Sequence, residues 1–148
     1  MIVWRTMILL AVLAGAAWAG PPAEHPFLIV RRGDFEALRA RAKQPLFQQI
    51  AADAIQRAQA DVSPKGLAGR PFKPRAISRY VSACALAYIL EPENEERYAR
   101  RVRGVIVHGL PALDFRGKWK ETVPPADATY LSILALDIVY ASLSKEDL

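Results

Sequence analysis

The sequence predicts an all-α fold of stacked helical hairpins, and three observations carry that expectation. Apolar residues recur at helical spacing along most of the chain, one-sided helices alternate with helices that are apolar nearly all round, and no strand-period segment of useful length interrupts them. Hairpins in which one helix lines an interior and the other faces outward produce this alternation, as in α-solenoids and (α/α) toroids. A compact helical bundle is the competing arrangement.

Residues 1–19 come first, with Arg5 as the one charge, an apolar run over 7–14 and the small-residue tripeptide Ala17-Trp18-Ala19. This pattern reads as a secretory signal peptide cleaved after Ala19. A retained anchor is the alternative, but the apolar run is only about half of the ~20 residues a membrane span needs. The expected mature domain is 20–148, periplasmic or secreted, with no stable membrane anchor after cleavage. Cys84 is the only cysteine, so no intramolecular disulfide forms and the fold rests on its core.

Beyond a Pro-rich leader, His25-Pro26-Phe27-Leu28-Ile29-Val30 is extended, and Asp34 is placed to cap a short helix from Phe35 to Ala42. Pro45 opens the next helix, which runs to about Asp61 with Phe47, Ile50, Ala51, Ala54, Ile55 and Ala58 on one face. Residues 62–74 hold too many glycines and prolines to be helical and form a long loop. Over 75–90 apolar residues, Cys84 among them, point in nearly every direction, so this helix must be enclosed by others. Tyr80 and Tyr88 sit at core spacing there.

Glu91-Pro92-Glu93-Asn94 breaks the chain, and Asn94 is placed to cap a helix whose stripe is Tyr98, Val102, Val105 and Ile106 and whose outer face is arginine-rich. His108 ends that helix beside Gly109, where a cation is favourable. A second long loop is expected over 109–126. Asp127 then caps a second all-round apolar helix through Tyr140, which puts Tyr130 in its first turn and Tyr140 at core spacing. Asp137 on this helix needs a partner if buried. Ser144 to Asp147 has the form of a capping box, which announces a further helix or frays as a tail.

Several segments together resemble the N-terminal part of the (α/α) toroid of polysaccharide lyases of the heparinase II/III and alginate lyase type. They are His25-Pro26-Phe27-Leu28-Ile29-Val30 with Asp34-Phe35 and Leu38-Arg39-Ala40-Arg41, then Ala85-Leu86-Ala87-Tyr88-Ile89-Leu90 with Glu95-Glu96-Arg97-Tyr98-Ala99, and finally Leu134-Ala135-Leu136-Asp137-Ile138-Val139-Tyr140 with Leu143-Ser144-Lys145-Glu146. The turn Glu91-Pro92-Glu93-Asn94 departs from the family's usual Thr-Gly-Asp. The resemblance implies an incomplete toroid, truncated at its C-terminal end, from a protein that cleaves uronate-containing polysaccharides by β-elimination. It also implies that the catalytic Asn-His pair and tyrosines lie further along than this chain reaches. The only asparagine is Asn94, and no Asn-His pair exists.

Accordingly no catalytic residue, metal ligand set or cofactor motif is assigned. The partner expected is an acidic polysaccharide and not nucleic acid, since Lys+Arg 20 against Asp+Glu 15 gives a net charge of +5 without an aromatic-basic nucleic-acid signature. Candidate sugar contacts are Lys118, Trp119, Lys120 and Tyr130. An indole flanked by two cations can stack on a sugar while the lysines meet carboxylates. Trp119 as a packed loop anchor is the alternative. The chain is therefore expected to be the inactive N-terminal portion of an exported lyase-like protein, or else a non-enzymatic helical-repeat module that binds a glycan or a protein.

Overall fold

The structure is a computed structural model, and it describes residues 25–26, 28–60, 74–113 and 119–143. The expected signal segment 1–19, most of the loop 62–74, Lys118 and the capping box after Leu143 lie outside the described residues. Among the described residues the chain is all-helical, with five α-helices packed together. They are α1 (Phe35–Ala42), α2 (Pro45–Gln59), α3 (Pro74–Leu90), α4 (Glu95–Gly104) and α5 (Trp119–Val139).

Helix α3 is the centre, packing on α1, α2, α4 and α5 as its all-round apolar surface requires. Ile77, Val81, Cys84, Ala87, Tyr88 and Ile89 are buried there, and small residues at 83, 84, 85 and 87 allow neighbours to approach closely. Helix α2 meets α3 through Ala54 and Ala58, spaced one turn apart, and leaves Leu46 and Ile50 exposed. Helix α4 contributes Tyr98, Ala99 and Val102, all fully buried, and turns its arginines outward. Tyr88 packs edge-on against Phe35 of α1, with ring centroids 6.2 Å apart.

Side-chain bonds establish the helix directions. Near the C-terminal ends of α3 and α5, the hydroxyls of Tyr88 and Ser142 are 2.8 Å apart, while earlier in both helices Arg79 of α3 and Asp127 of α5 line one groove. These two helices therefore run the same way. Helix α4 returns from α3 through the tight turn Pro92–Asn94, and its Arg101 guanidinium donates to the carbonyls of Gln59 and Ala60 at the end of α2, both at 3.4 Å. Residues near the start of α2 (Phe47, Ile50) and the end of α3 (Leu86, Leu90) share a second small groove, so α2 runs opposite to α3.

Arginines also close helix ends that sequence periodicity does not connect. Arg39 Nε of α1 donates to the Ile89 carbonyl at 2.6 Å, satisfying one of the orphan carbonyls at the end of α3. Its guanidinium lies 3.8 Å from Glu95, which Arg32 also approaches at 3.5 Å.

Three local expectations are corrected. Asp34 and Asn94 make no capping bond to their helices: Asp34 accepts the Arg31 N–H at 2.9 Å, and Asn94 Nδ2 donates to Glu91 at 3.3 Å. Each lies in a preceding 3-10 turn, Arg32–Asp34 and Pro92–Asn94, which already feeds the helix. The chain after α4 does not stop at Gly109; it widens into a π turn, Val105–Gly109, and then tightens into the 3-10 turn Leu110–Ala112, with His108 exposed. Finally, α5 begins at Trp119 rather than after Asp127, and Pro124 and Pro125 lie inside it. The prolines remove the N–H groups that the carbonyls of Lys120 and Glu121 would receive, so their effect is confined to the first two turns.

Two core groups hold their protons tightly. Burial pushes the Cys84 thiol up from 9.0 to about 11, against a smaller opposing effect of its hydrogen bond with Tyr80 and of Arg101. Burial, and then the hydrogen bond donated to Glu91, push the Tyr98 hydroxyl from 10.0 to about 12. Because both values are raised in the folded state, their stabilisation is complete below pH 9.0 and declines as pH climbs through 11. The urea midpoint is expected to fall between pH 9 and 11, less steeply in Cys84→Ala, with Cys84 inert to thiol reagents until the chain unfolds.

Candidate functional site

The helix directions place a groove of about 270 Å³ between the N-terminal turns of α3 and the first half of α5. Arg75, Ser78 and Arg79 line it from α3, and Pro124, Asp127, Tyr130 and Leu131 from α5. Its volume is just below the roughly 300–1,000 Å³ range of small-molecule sites. Arg75 and Arg79 are spaced i, i+4, so both project from one face of α3. The Ser78 hydroxyl bonds back to the Pro74 carbonyl at 3.2 Å, leaving the arginines as the projecting groups of this turn.

Across the groove Tyr130 is 60% exposed, an unusual position for an aromatic ring in a helix whose neighbours Ser132, Ala135 and Val139 are buried. It is not in the first turn of its helix, as the sequence had implied, because α5 starts earlier than Asp127. The same shift changes the part Asp127 plays. In place of capping the helix, it stands exposed in mid-helix and faces the groove. Among the described residues, Arg75, Arg79, Asp127 and Tyr130 make no hydrogen bond or ion pair, so their polar groups are turned to solvent.

The other sequence candidates fall differently. Trp119 and Lys120 open α5, roughly three helical turns before Tyr130. The groove thus brings Tyr130 together with two arginines that the sequence had not singled out and with Asp127, which it had assigned to a helix cap. A signal for the arginines existed: two cations four residues apart in the opening turns of an otherwise apolar helix.

A second polar cluster ties the chain entry to α5. Asp137 is 5% exposed; its Oδ1 lies 2.7 Å from His25 Nδ1 and its Oδ2 accepts the Leu28 N–H at 2.9 Å. The His25 ring lies 4.3 Å from that of Tyr140, which is 37% exposed and so is not the core residue its spacing implied. The partner that a buried Asp137 needs is thus supplied in part by the extended entry segment. This arrangement answers the cost of burying a carboxylate, and it lies at the opposite end of α5 from the groove.

A larger cleft of about 760 Å³ lies between the start of α4 and residues 141–143. Glu95 is engaged there by Arg32 and Arg39 and Glu96 by Arg100 at 3.3 Å, Glu93 and Arg97 make no ion pair among the described residues, and the cleft holds no aromatic ring on which a sugar could stack. It is therefore a poorer ligand site than the smaller groove.

No protein-family model, curated protein or solved structure matches the chain. Among the described residues no helix is long and apolar enough to cross a membrane, and no group of His, Cys, Asp or Glu is arranged to hold a metal ion.

The Asp137 cluster makes a stability prediction. Removing the His25 side chain leaves a buried carboxylate short of one donor, so His25→Ala should cost about 1.5–3 kcal/mol in urea unfolding at pH 7. In a double-mutant cycle with Asp137→Ala most of that cost should disappear; additive effects would show that the two side chains do not interact.

Proposed function

We propose that this chain is the N-terminal portion of an exported polysaccharide lyase-like protein, and that the groove between α3 and α5 contacts an acidic glycan. One observation carries the reading: an exposed tyrosine ring faces two arginines that are not engaged in ion pairs among the described residues. A sugar ring presents an apolar C–H face that stacks on an aromatic ring, and a uronate adds a carboxylate that a guanidinium binds in bidentate fashion. Arginine suits this geometry better than lysine because its donors form a fixed fork.

The helix arrangement supports the architecture in this reading. In an (α/α) toroid of stacked hairpins, the inner helices run parallel and the outer helices return between them. The parallel α3 and α5, the reversed α2, and α4 returning from α3 with its arginines outward are compatible with that plan. The groove then lies at the end where long connections enter both inner helices, and connecting segments supported by a rigid scaffold are frequent locations for binding residues. Trp119 and Lys120 are the first residues of α5, roughly three turns ahead of Tyr130.

The chemistry proposed for the parent protein is β-elimination. A base removes the C5 proton of the uronate, the electron pair forms the C4–C5 double bond, and the C4–O bond breaks with its oxygen taking up a proton. Cations that neutralise the carboxylate make the C5 proton more acidic. In this reading Arg75 and Arg79 bind the carboxylate and Tyr130 supports the ring, while the base and acid are supplied from beyond the chain. A second reading, a non-enzymatic exported module that binds a protein, draws on the exposed Leu46 and Ile50 of α2, 77% and 59% accessible.

Binding of alginate oligosaccharides, followed by calorimetry at near-physiological salt, tests the proposal. Tyr130→Ala should weaken binding about five- to tenfold, from the loss of a stacking contact of roughly 1–1.5 kcal/mol. Absorbance of unsaturated uronate should not develop on incubation with the polymer. Unaltered binding in Tyr130→Ala and in Arg75→Ala/Arg79→Ala would overturn the groove assignment.

A further inference from the structure

Resting on the groove reading above, the structure assigns Asp127 as the residue that selects among acidic glycans, favouring carboxylate-only polyuronates over sulfated polysaccharides. Asp127 is exposed, lines the groove with Arg75 and Arg79, and makes no ion pair with either among the described residues. It lies three residues before Tyr130, so the carboxylate and the ring occupy neighbouring positions on one face of α5.

The groove lining thus combines two guanidinium groups with one carboxylate. A uronate residue matches that balance: its single carboxylate pairs with a guanidinium, and its free hydroxyls donate hydrogen bonds to Asp127, an acceptor-only group when ionised. A sulfated sugar does not. Each sulfate replaces a hydroxyl donor by an acceptor-only anion, so a sulfate near Asp127 meets like charge and leaves the carboxylate without the donor it lost. Discrimination here comes from an unfavourable contact with the wrong ligand as much as from a favourable one with the right ligand.

The net positive charge of the whole chain attracts any polyanion, and this long-range effect is blind to the groove. The measurement therefore has to be a ratio. Full-length protein is titrated calorimetrically with oligoalginate and with chondroitin sulfate oligosaccharides of matched length, at near-physiological ionic strength. Wild-type protein should bind oligoalginate more tightly. Asp127→Asn, which keeps the size and the helix position, should bind the sulfated oligosaccharide about three- to fivefold more tightly, from relief of a screened like-charge contact. Its affinity for oligoalginate should be equal or lower, and Asp127→Glu should restore the wild-type ratio.

Tighter binding of the sulfated ligand by wild type, or a ratio unmoved by Asp127→Asn, would overturn the inference while Tyr130→Ala still reports whether the groove binds glycan. If Tyr130→Ala and Arg75→Ala/Arg79→Ala are also without effect, the groove reading fails and the role of Asp127 with it. Circular dichroism of each variant separates these outcomes from misfolding.

Discussion

A helix that is apolar on every side has no stable place at a surface, and α3 is such a helix. Enclosing it takes four neighbours, and the positions of α1, α2, α4 and α5 follow from that demand. Burying a Val, Leu, Ile or Phe side chain is worth about 1.5–3 kcal/mol each, far more than any exposed ion pair on the arginine-rich face. The polar bonds of the fold are arranged around this burial. Arg39 closes the carbonyl end of α3 at Ile89, and Tyr88 sends its hydroxyl out of the core to Ser142.

The enclosure of α3 also creates the groove. Because α5 lies alongside α3 in the same direction and starts well before it, the opening turns of α3 lie beside the middle of α5, and a groove remains between them. Arg75 and Arg79 on one helix, and Asp127 and Tyr130 on the other, occupy this margin of the core. The opposite end of α5 is treated differently: there a buried aspartate receives His25 and Leu28, and the chain entry is drawn onto the fold. One helix thus carries a solvent-facing polar pair at its middle, suited to a ligand, and near its C-terminal end a buried aspartate satisfied internally.

Much of the helix pattern was legible in the sequence because it depends on local spacing. Pro45 opens α2, the dense apolar run of α3 demands enclosure, and the turn at Pro92 reverses the chain, all as periodicity and punctuation imply. Where two local signals competed, sequence reasoning failed. Pro124 and Pro125 looked like the end of a loop and Asp127 like a cap, whereas α5 starts before all three. Proline is disfavoured in a helix by its missing donor and by its ring, but a helix held by packing along most of its length absorbs that cost in its opening turns. Asp34 and Asn94 failed as caps for a related reason, since a preceding 3-10 turn leads the chain into each helix.

Local spacing was enough to determine the all-helical class, the enclosure of α3 and the exclusion of an internal disulfide, because each follows from residue type at short range. The contents of the groove and of the Asp137 cluster were decided by tertiary structure. Tyr130 meets Arg75 and Arg79, and His25 meets Asp137, across about fifty and more than one hundred residues of chain, with |i−j| of 112 for the latter. Neither separation leaves a periodic trace: such pairs are set by which helices pack together and in which direction, and that is determined by burial of the core between them.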